Sequence, residues 1–578
     1  MKGSKYSSTV KSLMKYLRKH SILLLLSLLL AFSSVILQLW VPLFFGDAID
    51  QLVGKGDVNY PSLGVYLVKV LVCVGTSALF VYVMNLINNR ITYSVVRDIR
   101  NDMIEHLQKL PLSYLDAHTS GDIVSRVITD TDVLSDGLLL GFTQLFSGVV
   151  TIIATIYLML TRNIWISLIV ILLTPLSFLV SSFISSRSFN LFRAQSTARG
   201  DETALIDEMI GGIKVVKGYG YEKKAEERFT ALNDTLAEAS RKAIFYSSLA
   251  NPSTRFVNNI IYAVVALVGI ILIPKGALTV GGLSVMLSYA NQYMKPFNDI
   301  SSVITELQNS FACASRVFDL ISEKEESPDG KEVLTDAEGD VRIEDVAFSY
   351  DKSKSLIENF NLHAPKGTRV AIVGPTGCGK TTLINLLMRF YDTDSGSIRV
   401  DGKEIKSLTR HSLRASYGMV LQETWIKNGT VRDNITFGKP DATDEEIAEA
   451  VRKAHCDDFI SALPDGLETV LNEHSLSEGQ KQLLCIARVM LTHPPMLILD
   501  EATSSIDTRT ELLVQNAFDT LMEGRTSFVV AHRLSTIKNA SVILVMNSGK
   551  IIETGTHDSL MEKKGFYYTL YNSQFAPV

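Results

Sequence analysis

The sequence predicts a multi-domain chain: an all-α membrane domain of six spanning helices with long helical extensions, followed by an α/β domain built around a glycine-rich loop. Three observations predict it. The long apolar runs are confined to residues 1–310, while 330–578 read as a charged, globular chain. The stretch "RVAIVGPTGCGKTTLINLLMRF" sets a glycine-rich loop between a β-branched strand and a helical pattern. Further on, "PPMLILDEATSSID" is an apolar strand ending on two adjacent carboxylates, Asp500 and Glu501.

Composition sets the frame. A chain of 578 residues is too long for one ordinary domain. Its 47% hydrophobic content and mean hydropathy of +0.19 exceed those of a soluble enzyme. A net charge of −5 gives no reason to expect a nucleic-acid partner. The five cysteines (Cys73, Cys313, Cys378, Cys456 and Cys485) have neither metal-ligand nor disulfide spacing and are expected as core residues.

A spanning helix needs about 20 mostly apolar residues. Six segments qualify: about 21–45, 62–88, 138–160, 163–184, 256–274 and 279–299. The first follows Lys11, Lys15, Arg18 and Lys19, as a signal peptide would, but it is too long and five more spans follow. Residues 8–20, basic and amphipathic, suit a short helix on the inner membrane surface. The short connections carry one basic residue each (Lys55, Arg162, Lys275). The segments 89–137 and 185–255 carry many, among them Arg90, Arg97, Arg100, Arg126, Arg187, Arg193, Lys214 and Arg241. Both termini and both long segments are therefore expected in the cytoplasm.

The long segments are too regular for loops. "VVRDIRNDMIEHLQKL" and "ALIDEMIGGIKVVKGYGYEKKAEERFTALNDTLAEAS" repeat apolar residues every three or four positions, so the membrane helices continue into the cytoplasm. Few polar residues are noted within the spans: Asn85, Asn88, Asn89, Gln144, Asn258, Asn259, Asn291 and Gln292. A transport-pathway role and simple interhelical hydrogen bonding both fit them. No acidic residue lies well inside a span, which argues against an ion-coupled proton relay.

After the polar, turn-rich linker "SEKEESPDGKEVLTDAEGD" comes the glycine-rich loop, Gly374-x-x-x-x-Gly379-Lys380-Thr381. Such a loop curls its backbone N–H groups toward phosphate oxygens at the positive end of a helix. Gly374, Pro375, Thr376, Gly377, Cys378, Gly379, Lys380, Thr381 and Thr382 are the expected phosphate contacts, with the Thr381 hydroxyl a ligand for Mg²⁺. Unpaired charge at a buried strand end is costly. Asp500 therefore reads as a site for the Mg²⁺ through water and Glu501 as the residue orienting and polarising attacking water; the bland reading is two solvated acids. A third strand, "SFVVAHRLSTI", ends at His532, whose imidazole gains meaning only from these companions.

Residues 341–578 resemble the nucleotide-binding domain of the ABC transporters, whose motifs appear in order. Tyr350 in "VAFSYDKS" matches the aromatic that stacks on adenine, and Gln422 in "GMVLQETW" the glutamine that meets Mg²⁺ and the membrane domain. Ser504-Ser505-Ile506-Asp507 matches the D-loop. The spans, and the segments "TSGDIVSRVITDTD" and "VVKGYGYEKKAEERF", resemble the exporter type, whose cytoplasmic loops end in coupling helices. The resemblance implies a transmembrane domain over 1–310, a linker over 311–340 and an ABC nucleotide-binding domain over 341–578. It also implies two such chains closing head to tail on two molecules of ATP.

"LSEGQ" (476–480) resembles the family's signature, in which Ser477, Gly479 and Gln480 serve the partner's ATP. Glu478 stands where the family has glycine, and the run 469–476 is about two residues short. Two unit charges ~5 Å apart at an effective dielectric of ~20 repel by about 3 kcal/mol. Expressed fully in a transition state, that slows a reaction about a hundredfold. A partner with an unmodified signature, giving a heterodimer, resolves the mismatch; a homodimer that tolerates Glu478 is the alternative.

The resemblance thus implies ATP-driven export of amphipathic or hydrophobic small molecules, drugs or lipids, from a bilayer by a half-transporter. The short external loops and the absence of a targeting segment point to a bacterial inner membrane. An exporter-folded importer, for instance of a metal chelate, shares every motif. A regulatory ATPase that gates rather than pumps is opposed by Glu501 and His532.

Overall fold

The computed structural model describes residues 2–52, 59–354, 356–421, 424–472, 475–500, 507–530 and 537–575. Two compact units emerge: residues 1–109 with 118–324, and residues 110–117 with 325–578.

The first unit is helical. In chain order it holds α1 (Lys2–Arg18), α2 (Ser21–Asp50) and α3 (Tyr60–Leu107). The short helix α4 (Leu112–Ala117) belongs to the second unit. Then come α5 (Ser120–Ser125), α6 (Thr131–Leu140), α7 (Phe146–Arg162), α8 (Ile164–Gly211), α9 (Ile213–Gly218), α10 (Glu222–Leu272) and α11 (Val280–Ile321). Among the described residues, Ser21–Asp50, Tyr60–Leu107, Ser120–Arg162 and Glu222–Leu272 are long and apolar enough to cross a membrane. The other two expected spans fall within α8 and α11.

Local chemistry fixes the helix starts. Asn59 accepts from the Ser62 amide at the head of α3, with proline in the first turn. Asn163 alone separates α7 from α8 and caps the latter through the amides of Trp165 and Ile166, both 3.1 Å away. The apolar core of this unit joins Val35 and Leu39 of α2, Met159 of α7, Ile166 of α8, Ile261 of α10 and Tyr289 of α11.

Three expectations need correction here. The helix α1 does not keep its apolar side for lipid. Leu13, Tyr16 and Leu17 are buried against Ile99 and Met103 of α3 and Val317 and Phe318 of α11, and the Tyr16 hydroxyl donates to Asp102 at 2.6 Å. Residues 311–321, expected to open the linker, are the closing turns of α11, because Ala314, Val317 and Phe318 pack into the same core. Two lysines, Lys69 and Lys295, stand inside the expected spans beside the amides. Of those amides, Asn88 is fully buried and accepts from the Ser27 hydroxyl of α2, an interhelical hydrogen bond. All five cysteines are buried and reduced.

The second unit carries twelve described strands. The first five are β1 (Val341–Phe348), β2 (Ile357–Ala364), β3 (Arg369–Val373), β4 (Ser395–Val400) and β5 (Lys403–Glu404). They are followed by β6 (Tyr417–Val420), β7 (Gly429–Thr430), β8 (Val470–Leu471), β9 (Met496–Asp500), β10 (Thr526–Val530), β11 (Val542–Asn547) and β12 (Lys550–Gly555). An antiparallel sheet runs β2-β1-β4-β5, and β7 pairs with β8. A six-stranded sheet runs β12-β11-β3-β10-β9-β6, parallel except at the β11–β12 edge. Buried on both faces, its inner strands are almost wholly apolar: "RVAIV", "MLILD" and "TSFVV". In such a sheet ligands bind beyond the carboxyl ends of the strands.

Candidate functional site

The glycine-rich loop leaves the carboxyl end of β3 and opens the helix Lys380–Leu387. Gly377 and Gly379 sit at φ 79° and 103°, a region that favours glycine. Gly379 is the residue before the helix and offers no side-chain cap, which leaves the first amides to a ligand. A Cβ on Gly374 would lie 2.2 Å from the Met546 carbonyl of β11, so only glycine lets the loop run this close to the sheet. The Gly549 amide pins the loop from the β11–β12 turn by donating to the Cys378 carbonyl at 3.0 Å. Burial pushes the Cys378 thiol up, so it is a packing residue rather than a nucleophile. The Lys380 ammonium donates to the carbonyls of Gly374 (2.8 Å) and Pro375 (3.1 Å).

Around this loop lies a cavity of about 430 Å³. Thr376, Gly377, Gly379, Lys380, Thr381 and Thr382 supply one wall. Asp500 at the end of β9 and Val530 at the end of β10 supply another, with Tyr350 at the mouth. Tyr350 is 52% exposed, so its ring is open to a planar ligand. It is held edge-on by Phe348 and Tyr391, with centroids 4.9 and 5.0 Å away, and the Asn385 amide donates to its hydroxyl at 3.3 Å. The Tyr391 hydroxyl donates to the Asp116 carboxylate of α4. Burial first, and then that carboxylate, push Tyr391 up, so it stays a donor.

The donor set fits a nucleoside triphosphate with magnesium. Backbone amides and one lysine converge on a volume large enough for phosphates, and Thr381 and Asp500 bring hard oxygen ligands to the same cavity. Mg²⁺ is usually held by one or two protein oxygens together with substrate phosphates.

The signature residues stand elsewhere in the unit. Ser477 caps the helix Glu478–Thr492: its hydroxyl accepts from the Gln480 amide, and the Gln480 side chain accepts from the Ser477 amide at 3.0 Å. Gly479 is buried in the first turn. None of the three lines the phosphate cavity. Asp507 caps Thr508–Met522 through the amides of Arg509 (3.1 Å) and Thr510 (3.0 Å), and the bonds from Thr510 hold its carboxyl below the usual range. Gln422, Glu501, Ser504 to Ile506 and His532 lie outside the described residues.

One contact escaped the sequence reading. The Lys481 ammonium sits 2.8 Å from the Glu478 carboxylate, with the lysine side chain 11% and the glutamate 57% exposed. The i,i+3 spacing that allows it was visible in "SEGQK". The pair replaces a lone negative charge beside the signature with a dipole, whose field falls off faster.

Comparison with known proteins bears on the whole chain. Residues 24–297 match the family described as ABC transporter transmembrane region, and 357–504 match the family described as ABC transporter. A fatty acid ABC transporter ATP-binding/permease protein of Mycobacterium bovis is 43% identical over 487 residues, covering 84% of this chain and 77% of that protein. An ATP-dependent lipid A-core flippase of Desulfotalea psychrophila is 35% identical, covering 91% and 92%. Among solved structures, a bacterial Atm1-family ABC exporter with ATP bound superposes with a TM-score of 0.78 at 28% identity, covering 97% of this chain and 99% of the other.

Proposed function

The chain belongs to the ABC transporters, joining a membrane-spanning region to an ATP-hydrolysing domain, and from that premise we propose that it exports lipid-like or drug-like amphiphiles as one half of a dimer. The observation that carries the reading is the split site. The cavity holds Tyr350, Lys380, Thr381 and Asp500, while Ser477, Gly479 and Gln480 of the same chain lie outside it. A second chain would have to supply the signature. The Mycobacterium and Desulfotalea relatives, named for fatty acid and for lipid A-core, support the substrate class. In this reading the membrane is a bacterial inner membrane, with both termini cytoplasmic.

Each residue then has a task. Tyr350 stacks on adenine. Lys380 turns from the carbonyls of Gly374 and Pro375 to the outer phosphates, and the amides of 376–382 wrap them. Thr381, Asp500 and Gln422 would hold Mg²⁺, which when bound neutralises phosphate charge. Glu501 orients the attacking water and His532 contacts the γ-phosphate. Ser477 and Gly479 of the partner close the far side, and Asp507 braces the D-loop between them. Closure pulls the coupling segments around 119–132 and 215–229, turning the membrane cavity outward; hydrolysis resets it.

The modified signature favours a partner of different sequence, with the site that uses Glu478 turning over slowly. The Glu478–Lys481 pair favours the second reading, a homodimer, because it softens the repulsion that Glu478 would otherwise bring. The intact mass of the complex extracted from its native membrane decides. Two copies of the 63.8 kDa chain would eliminate the heterodimer; a second chain with an unmodified signature supports it. ATP-dependent movement of a labelled fatty acid into inside-out vesicles tests the direction, and movement outward would overturn export.

A further inference from the structure

The aromatic wall of the nucleotide cavity continues past Tyr350. Phe348, Tyr350 and Tyr391 form a closed set of edge-to-face contacts, with ring centroids 4.9, 5.0 and 5.6 Å apart. Tyr391 has a further anchor, because its hydroxyl donates to the Asp116 carboxylate of α4. That carboxylate arrives from a remote part of the chain. Residues 110–117 join the nucleotide-binding unit, while Lys109 and His118 on either side belong to the helical unit.

Such a segment cannot order itself. The helix α4 has six residues, and an isolated helix shorter than about 12 residues is marginal in water. None of its side chains is buried, although Leu110 just before it is. Its order is therefore borrowed from contacts with the unit around it, and a hydrogen bond to a carboxylate is among the stronger kinds. At the other end of the set, Tyr350 is 52% exposed and takes its orientation from the ring edges packed against it. Both ends depend on neighbours for their order, and Tyr391 touches both.

Contacts arranged in series make binding at one end and order at the other reciprocal. A base stacked on Tyr350 would fix that ring against Tyr391, and so fix the hydroxyl whose proton Asp116 accepts. Conversely, an ordered α4 spares the base part of the cost of ordering these rings. A bare triphosphate fills the glycine-rich loop but has no base to stack, so it makes no use of this path. We propose that Tyr391 is a positioning residue for the base of the bound nucleotide, and that through Asp116 it makes the order of α4 depend on the base rather than on the phosphates. The proposal rests on the reading above only in placing a nucleoside triphosphate in this cavity with its base on Tyr350.

The test is hydrogen exchange read by mass spectrometry on the intact complex in detergent, with EDTA present so that nothing is hydrolysed. Titrations with ATP and with inorganic tripolyphosphate are followed on peptides covering 374–382 and 110–117. ATP should protect both peptides, and tripolyphosphate 374–382 alone. Tyr391→Leu removes the ring edge, so it should weaken ATP at 374–382 by about fivefold, in the range of one aromatic pair, and leave tripolyphosphate unchanged. Tyr391→Phe keeps the edge and loses the anchor, so ATP should weaken about two- to threefold and protection of 110–117 should vanish. Asp116→Asn keeps an acceptor for the hydroxyl and should behave as wild type on both peptides. With Tyr350→Ala in place, Tyr391→Leu should cost nothing more. Equal weakening of ATP and tripolyphosphate by Tyr391→Leu would mark a folding role alone and overturn the proposal. So would protection of 110–117 by tripolyphosphate, or protection by ATP that survives Tyr391→Phe. ATP protection at 374–382 with none at 110–117 overturns it too, and leaves the nucleotide site standing. Protection of 374–382 by neither ligand would sink that site as well.

Discussion

Two helix N-termini in the nucleotide-binding unit, both of which would meet phosphate in the proposed dimer, are finished differently. The helix Lys380–Leu387 begins behind a glycine at φ 103° with no side-chain cap, so its first amides and its dipole are free for an anion. The helix Glu478–Thr492 begins behind Ser477, already satisfied by its own capping box with Gln480, and carries an acid in its first turn. The difference teaches that one end is built to bind within a single chain and the other is self-sufficient until a partner arrives. In the proposed dimer, Ser477 would exchange a local hydrogen bond for a phosphate of the partner's ATP. The net gain is then smaller than the contact alone suggests.

The comparison breaks most visibly at the open end. Lys380→Ala removes the only side-chain cation lining the phosphate cavity among the described residues. ATP hydrolysis by the purified complex should fall by about a hundredfold or more, the scale of losing one electrostatic stabiliser of the transition state. A loss of only a few-fold would mean that the loop amides act alone.

At the self-capped end the effect is smaller and has a pairwise signature. If Lys481 neutralises Glu478, then Glu478→Gly should raise hydrolysis by only about two- to tenfold, rather than the hundredfold of an unpaired charge. Lys481→Ala should lower it when Glu478 is present and leave it unchanged when Glu478→Gly is also present. A double-mutant cycle on hydrolysis rate measures this coupling. Additive effects would show that the pair does not act at the site.

The smallest effect belongs to the third helix start. Asp507 caps Thr508–Met522, and its carboxyl is held below the ordinary value by the Thr510 and Arg509 bonds. A carboxyl lowered on folding contributes stability above its unfolded value, near pH 4, and loses it as pH falls through the folded value. Asp507→Asn keeps a good cap, so the thermal midpoint at pH 7 should barely move while its loss below about pH 4 becomes shallower. An unchanged acid limb would remove Asp507 from the account.

Much of this was legible in local order. The strand–loop–helix around Gly374 and the apolar strands before Asp500 and His532 are contiguous patterns whose periods fix type and order. The pairings were not legible. Lys481 beside Glu478 was within reach of an i,i+3 argument, but Tyr391 bonded to Asp116 joins residues far apart in sequence. No period spans such a distance. The extent of α11 past residue 310 was hidden for the same reason, since Ala314, Val317 and Phe318 look unremarkable until α1 and α3 cover them.

The sequence by itself determined that this protein has an apolar helical half and a nucleotide-binding half, because burial in lipid and the cradling of phosphate each demand residue types at fixed short spacings. Only the tertiary structure decided that α1 turns its apolar side inward, that α4 belongs with the nucleotide-binding unit, and that Tyr391 meets Asp116. Those outcomes depend on which surfaces meet, and desolvation and charge pairing are settled only when distant parts of the chain come within a few ångströms.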